Sequence, residues 1–213
     1  MASLTRTAVR THIREMLSEP TERHYTDCAI NTWIANGVKD VSIKTFCSTK
    51  IASPITTTIG CAEYTWPTTV NTTAVDTLGI KAVILSSGVA LDYVTPDQLG
   101  RAGSVGVQNM KWTTWHEQIV LSHAPTAAIT IQPYIWVVAD QTAAGALNLP
   151  NAYHHIVILY GTAMGHIKRL RWDAANYVYG MYQQELDRIV QLINAQYIPE
   201  PMKEGVHDQG ETP

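Results

Sequence analysis

His116-Glu117 begins like the HExxH motif of zinc proteases. In that motif two histidines one helical turn apart clamp the metal, and the glutamate serves as general base. Val120 stands where the second histidine is needed, so no clamp forms. His154, His155 and His166 are a second candidate metal set. On a helix the adjacent pair point about 100° apart, and His166 lies about 17 Å further along the axis. One zinc ion at about 2 Å from each ligand does not bridge that gap. Gly100, Gly103 and Gly106 are spaced GxxGxxG, which matches neither a phosphate-binding nor a dinucleotide loop, and no GxSxG nucleophile elbow occurs. Cys28, Cys47 and Cys61 are odd in number and contain no CxxC, so neither a zinc site nor a disulfide framework is indicated. Asp92 or Glu117, with exposed rings as sugar platforms, keeps a small hydrolase open as the third choice of function. No catalytic residue, metal ligand or cofactor is assigned.

Three further groups are better suited to contact than to reaction. His166-Ile167-Lys168-Arg169-Leu170-Arg171 is the densest basic cluster. It falls at the end of a predicted helix, where cations offset the negative end of the dipole, and an acidic partner surface would suit it too. Gly161 and Gly165 lie four apart on that helix, each costing about 1 kcal/mol relative to alanine. Another backbone or a bulky ring packed closely there would account for them, within one chain or between subunits. Trp172, Tyr177, Tyr179 and Tyr182 cannot all face one core, so some should lie at an interface, where such rings are enriched. Trp66, Trp112, Trp115 and Trp136 belong to a strand region whose core needs large apolar groups.

The elements that carry these residues follow from periodicity. Residues 3–17 repeat Val9, Ile13, Met16 and Leu17 at helical spacing, with Arg6, Arg10 and Arg14 along another side. Thr26 or Asp27 caps a second helix with Ile30, Trp33, Ile34, Val38 and Val41 on one face. The turn between these two is too long for a DNA-reading helix-turn-helix. From residue 46 to 149, Thr, Val, Ile and Trp broken by Gly and Pro predict strands at 56–59, 80–85, 89–93, 112–116, 118–121 and 128–138. Ser86-Ser87-Gly88 reads as a hairpin connection, 100–106 as a flexible loop, and 65–77 as an exposed polar stretch. Asn151 then caps a helix with Ile156, Leu159, Tyr160, Ala163, Ile167 and Leu170 on one face, and Val157 and Met164 widen the stripe. Asp173 caps the last helix, with Val178, Tyr182, Leu186, Ile189 and Ile193 inward. Residues after Tyr197 have the composition of an extended tail, disordered until bound.

The predicted fold class is α+β: a helical bundle with a strand-rich insertion. Its parts are two N-terminal helices (1–45), the insertion (46–149), a long C-terminal helical hairpin (150–195) and an extended tail (196–213). The composition is 46% hydrophobic and 15% charged, against roughly 25% charged in an ordinary soluble domain. Such a surface suits one covered by partners or a rigid Thr-rich sheet. A net charge of -3 gives no general case for nucleic-acid binding. No run of about 18 apolar residues predicts a membrane span, and the first residues lack the apolar core of a signal peptide. A soluble protein of a reducing cytoplasm is the plain reading.

The order of features resembles a known family. A helix of the type Tyr25-Thr26-Asp27-Cys28-Ala29-Ile30-Asn31-Thr32-Trp33-Ile34-Ala35-Asn36-Gly37 is followed by a strand ending Tyr64-Thr65-Trp66-Pro67. A hairpin closes in Leu91-Asp92-Tyr93-Val94-Thr95-Pro96-Asp97-Gln98-Leu99. Leu149-Pro150-Asn151-Ala152-Tyr153-His154 opens a helical pair that includes Asp173-Ala174-Ala175-Asn176-Tyr177. Over roughly 4–195 the chain resembles the head-to-tail adaptor (connector) proteins of tailed bacteriophages. The resemblance implies a structural, non-enzymatic subunit in the virion neck, assembled in the host bacterial cytoplasm. It would form a ring, usually of twelve copies, between the portal protein and a downstream tail or nozzle protein. DNA would pass through without sequence reading, and no membrane is involved. A ring needs two different faces of each copy to meet. The stripe on the 152–171 helix is the candidate for one face, with Tyr160, Gly161, Gly165, Trp172 and Tyr179 as interface residues. Tyr197, Ile198, Pro199 and Met202 are the candidate portal contacts. The alternative is another tail-completion or assembly protein of a phage.

Overall fold

Both N-terminal helices begin where a threonine hydroxyl replaces a missing intrahelical partner. Thr5 accepts the Ala8 N–H at 3.1 Å and starts α1 (Arg6–Met16). Thr26 accepts the Ala29 N–H at 3.2 Å and starts α2 (Asp27–Thr45). The computed structural model describes residues 4–19, 24–71, 73–99, 110–139, 145, 147 and 149–197, with backbone alone for 194–197. The loop expected at 100–106 therefore lies outside the described residues except for its flank.

α4 (His154–Lys168) and α5 (Trp172–Tyr197) complete the long helices. Their starts differ from expectation. α4 is entered through a 3-10 turn (Asn151–Tyr153) led by Pro150, so Asn151 is not its N-cap. Asp173 sits inside the first turn of α5, where its carboxylate offsets the positive end of the helix dipole. α4 ends in a reversal with the bonding pattern of a Schellman motif. The Arg171 N–H donates to the His166 carbonyl at 3.0 Å and the Leu170 N–H to that of Ile167 at 2.9 Å. Leu170 holds φ at 56°, where glycine is usual. α1 closes the same way through Ser18 at φ 54°, with Glu19 N–H on the Arg14 carbonyl at 2.8 Å.

The first sheet is built on β10 (Thr130–Val137). β6 (Thr77–Leu85) runs antiparallel along one side of it, and β1 (Thr49–Ile51) and β2 (Ile55–Thr56) follow each other along the opposite side. β10 alternates buried and half-buried residues over its whole length. The second sheet has the order β3 (Glu63–Thr65), β9 (Gln118–Leu121), β8 (Lys111–Trp115), β7 (Asp92–Tyr93), antiparallel except where β7 meets β8. β4 (Thr69–Val70) and β5 (Thr73–Ala74) form a small third sheet inside the stretch expected to be polar and exposed, and α3 (Pro96–Leu99) follows β7. Ser86-Ser87-Gly88 does turn the chain: Gly88 takes φ 85° and Leu85 bonds back to Val89.

Two hydrophobic cores result. One is filled by the long helices with Ala139, Leu147 and Leu149. The other lies among the strands, with Val83, Ile131 and Ile135 of the first sheet and Trp112, Ile119 and Leu121 of the second. This corrects the predicted fold class. A helical bundle closed by a long C-terminal hairpin, with strands as an insertion, is not the architecture observed. Five α-helices and many strands in three sheets share the described chain, and the strands enclose a core of their own. α4 is the physical reason on the helical side. Ile156, Val157, Ile158 and Leu159 are consecutive and all buried, so the helix is apolar around its circumference and is covered by α1, α2 and α5. Of the predicted tail, 196–213, the first two residues are the end of α5, and 198–213 lie outside the described residues.

Candidate interaction surface

The two glycines of α4 are notches for α1. A Cβ on Gly161 would come within 2.5 Å of Ile13 Cδ1, and one on Gly165 within 2.5 Å of Leu17 Cδ1. Gly37 of α2 does the same for Tyr160, whose Cδ1 would lie 3.1 Å from an added Cβ. Of the residues expected at a subunit interface, Gly161 and Gly165 are thus covered within the chain. Tyr160 is half-buried, its ring edge-on to Tyr182 at 5.5 Å. Tyr179 is half-buried beside the same ring. Of the stripe offered as a ring face, Ile156, Val157, Leu159 and Ala163 are buried, Tyr160, Met164 and Ile167 half-buried, and Leu170 exposed.

A polar clamp ties the ends of α1, α2 and α4 together. The Arg14 side chain is only 8% exposed. It donates to the Tyr25 carbonyl at 2.9 Å and to Asp27 Oδ1 at 2.7 Å, and it lies 3.7 Å from Glu19 Oε1. Glu19, 3% exposed, also accepts the His24 and Tyr25 N–H groups and faces Arg169 at 3.4 Å. The Tyr25 hydroxyl reaches back to the Gly165 carbonyl at 2.7 Å. Burial raises the pKa of this hydroxyl, against the opposing pull of Arg169. Arg169 and Lys168 lie over the Tyr25 ring at 5.2 Å and 5.8 Å, so part of the predicted basic cluster serves the fold. On the far side, Tyr182 donates to Asp40, which also pairs with Lys44 at 2.8 Å. Burial first, then the Asp40 bond, raises the Tyr182 pKa strongly.

Of the three candidate metal histidines, His154 is buried. Its Nδ1 accepts the Leu4 N–H at 3.3 Å, and its Nε2–H donates to the Leu149 carbonyl at 3.1 Å. Those roles require the neutral ring, and burial lowers its pKa accordingly. His155 is exposed and His166 half-buried, the latter with a pKa lowered by burial and then by Arg171 and Arg169. Among the described residues no three His, Cys, Asp or Glu side chains are placed to hold a metal ion.

His116 and Glu117 form the two-residue turn between β8 and β9, at φ 46° and 59°. That is the pattern of a type I′ hairpin, usually made by Asn-Gly. Asp92 pairs across Lys111 at one end of β8, and Glu117 follows Trp115 at the other. Lys111 and Trp115 lie four strand steps apart, about 13 Å at about 3.3 Å per residue, so the two carboxylates belong to opposite ends of β8.

Three large apolar side chains at and beyond the α4–α5 turn are open. Leu170 is 72% exposed, Trp172 55% and Tyr177 72%, with Arg171 exposed among them. Leu170 belongs to the apolar stripe predicted on this helix; the αL reversal turns it away from Ile156, Leu159 and Ala163, which are buried. Trp172 is thus the one predicted interface residue that is open, and Tyr177 joins it. Trp115, expected in the strand core, is also exposed, edge-on to His116 at the hairpin tip. Of the predicted portal contacts, Tyr197 is the last residue of α5, and Ile198, Pro199 and Met202 lie outside the described residues.

Protein-family models and curated proteins were both searched, and neither gave a match to this chain. Among the described residues no helix is long and apolar enough to cross a membrane.

Proposed function

We propose that this chain is a structural virion protein, a head-to-tail adaptor of a tailed bacteriophage. In this reading its copies form a ring, dodecameric by resemblance, between the portal protein and a downstream tail or nozzle protein. They continue the channel through which DNA passes without sequence reading. Assembly takes place in the host bacterial cytoplasm and the product sits in the virion neck.

The observation that carries the reading is the exposure of Leu170 and Trp172 at the α4–α5 turn and of Tyr177 further along α5. Exposed large apolar and aromatic side chains are the composition of an interface core. The motif order quoted above and the low charge of the chain support the same assignment. Because Ile13 and Leu17 of α1 fill the space at Gly161 and Gly165, this reading puts the ring contact at Trp172 and Tyr177.

Co-sedimentation of the purified protein with the portal ring of the same virus, followed by electron microscopy, tests this. A stoichiometric ring on the portal is expected. The Trp172→Ala/Tyr177→Ala variant should keep its fold, because both side chains are exposed, and should fail to close the ring. A folded protein that does not bind the portal would move the assignment to another tail-completion or assembly protein.

A further inference from the structure

Where α2 runs into β1, a half-open cavity of about 770 Å³ separates the helical core from the first sheet. Phe46, Trp136, Val190 and Ile193 give it an apolar wall, and Lys44 and Lys81 stand on it. None of the residues lining it is acidic. Lys44 is already paired with Asp40, whereas Lys81 projects from the exposed side of β6. Phe46 is held at φ 48°, a conformation that bulky side chains rarely adopt, with its ring tilted on Trp136 at 5.4 Å. The backbone is strained where a glycine would relieve it, and the result is an aromatic wall.

α5 supplies Val190 and Ile193 to that wall and runs on to Tyr197, about 6 Å further along its axis. Residues 198–213 follow. They include Ile198, Met202 and Val206, and the carboxylates of Glu200, Glu204, Asp208 and Glu211 against the single Lys203. Five extended residues reach about 16 Å, enough to return from Tyr197 to the cavity.

We propose that the cavity is the docking site of the chain's own C-terminal segment. Its apolar residues up to Met202 lie on the Phe46–Trp136 wall, and its carboxylates face Lys44 and Lys81. Tethering favours the segment of the same chain over that of a neighbour, because its effective concentration at the cavity is in the millimolar range. Docking withholds Ile198, Pro199 and Met202 from any other partner until something displaces them. The inference stands without the neck assignment, since it is read in the purified chain alone.

Cys47 lines the same cavity and supplies the probe. With Cys28→Ser and Cys61→Ser in the full chain, Met202→Cys is compared with Glu211→Cys under mild oxidation. Burial raises the Cys47 thiol, so the reaction is run at about pH 8.5. The disulfide between positions 47 and 202 should form within single chains, about tenfold faster than that to 211. Lys81→Glu should slow it. Crosslinked dimers in place of monomers would overturn docking within the chain. So would equal rates at 202 and 211, or no crosslink while a small maleimide labels Cys47 freely. Lys81→Cys in a Cys47→Ser background, on the open rim, decides the case in which Cys47 itself does not react.

Discussion

The helical and strand halves of this molecule are held together by different means. In the helices, side chains interlock at specified points. Ile13 and Leu17 sit in the Gly161 and Gly165 notches, Tyr160 sits against Gly37, and Arg14, Glu19 and Asp27 join three helix ends. In the strands, short segments of two to five residues are ordered mainly by backbone pairing within three separate sheets and by an apolar core without a buried ion pair among the described residues. The strand half leaves Trp115, Tyr93 and Ile59 largely exposed. Interlocked side chains tolerate little change in shape or charge, and a pleated ladder tolerates more, so the same class of substitution should weigh differently in the two halves.

The contrast is broken most directly at the clamp. Arg14→Met leaves Glu19 buried with less compensation and should lower stability by about 3–5 kcal/mol, the usual cost of breaking a buried pair. Urea unfolding followed by far-ultraviolet circular dichroism measures it. A loss under 1 kcal/mol would mean the clamp is incidental. Next is Gly161→Leu, which drives a branched side chain into Ile13 and should lose about 1–3 kcal/mol through overpacking. Gly180→Ala is its control, because an added Cβ there meets nothing within 4 Å, and it should gain up to about 1 kcal/mol.

Acid should loosen the helical half first. His154 is neutral in the fold with a lowered pKa, whereas in the unfolded chain it titrates near 6.5. Its contribution is fully present above that value and is lost as pH falls toward the folded pKa, because the unfolded state then binds the extra proton. Melting temperatures at about pH 7.5 and 5.5 should therefore diverge, and His154→Gln should flatten the difference. The smallest effect belongs to the strands. Glu117→Gly relieves one positive-φ residue of the hairpin turn and should stabilise by about 0.5 kcal/mol, read as a small rise in urea midpoint.

Individual elements were more legible in the sequence than their assembly. Thr26 announced α2, and Ile30, Ile34, Val38 and Val41 are buried as their spacing required. β6, β8, β9 and β10 were found because each is long enough to show its own alternation. β1, β4 and β5 were missed, being two or three residues long and defined by the partner they pair with, whereas β3 matches the strand read as ending at Tyr64-Thr65. The fold class failed for a related reason: periodicity marks which residues turn inward and leaves open how many cores they fill. Arg14 reads as one of a row with Arg6 and Arg10 along one side of α1, since its partners Glu19, Tyr25 and Asp27 lie beyond that helix. The αL reversal that exposes Leu170 has no glycine to announce it. At the candidate surface, the need for some aromatic at an interface was readable, but which of Trp172, Tyr177 and Tyr179 stays open depends on how α5 lies on α2 and α4.

The position of α4 at the centre of the helical core sets a condition on synthesis. α1 and α2 leave the ribosome with Ile13, Leu17, Ile30 and Ile34 seeking a partner, and that partner is encoded more than a hundred residues later. At about 5–20 residues per second the wait is on the order of 10 s, with apolar faces uncovered and a full set of strands emerging meanwhile. Even Leu4 must wait for His154 to accept its N–H. Nascent chains stalled before residue 154 should therefore bind chaperones and aggregate on release, whereas chains stalled beyond α4 should not.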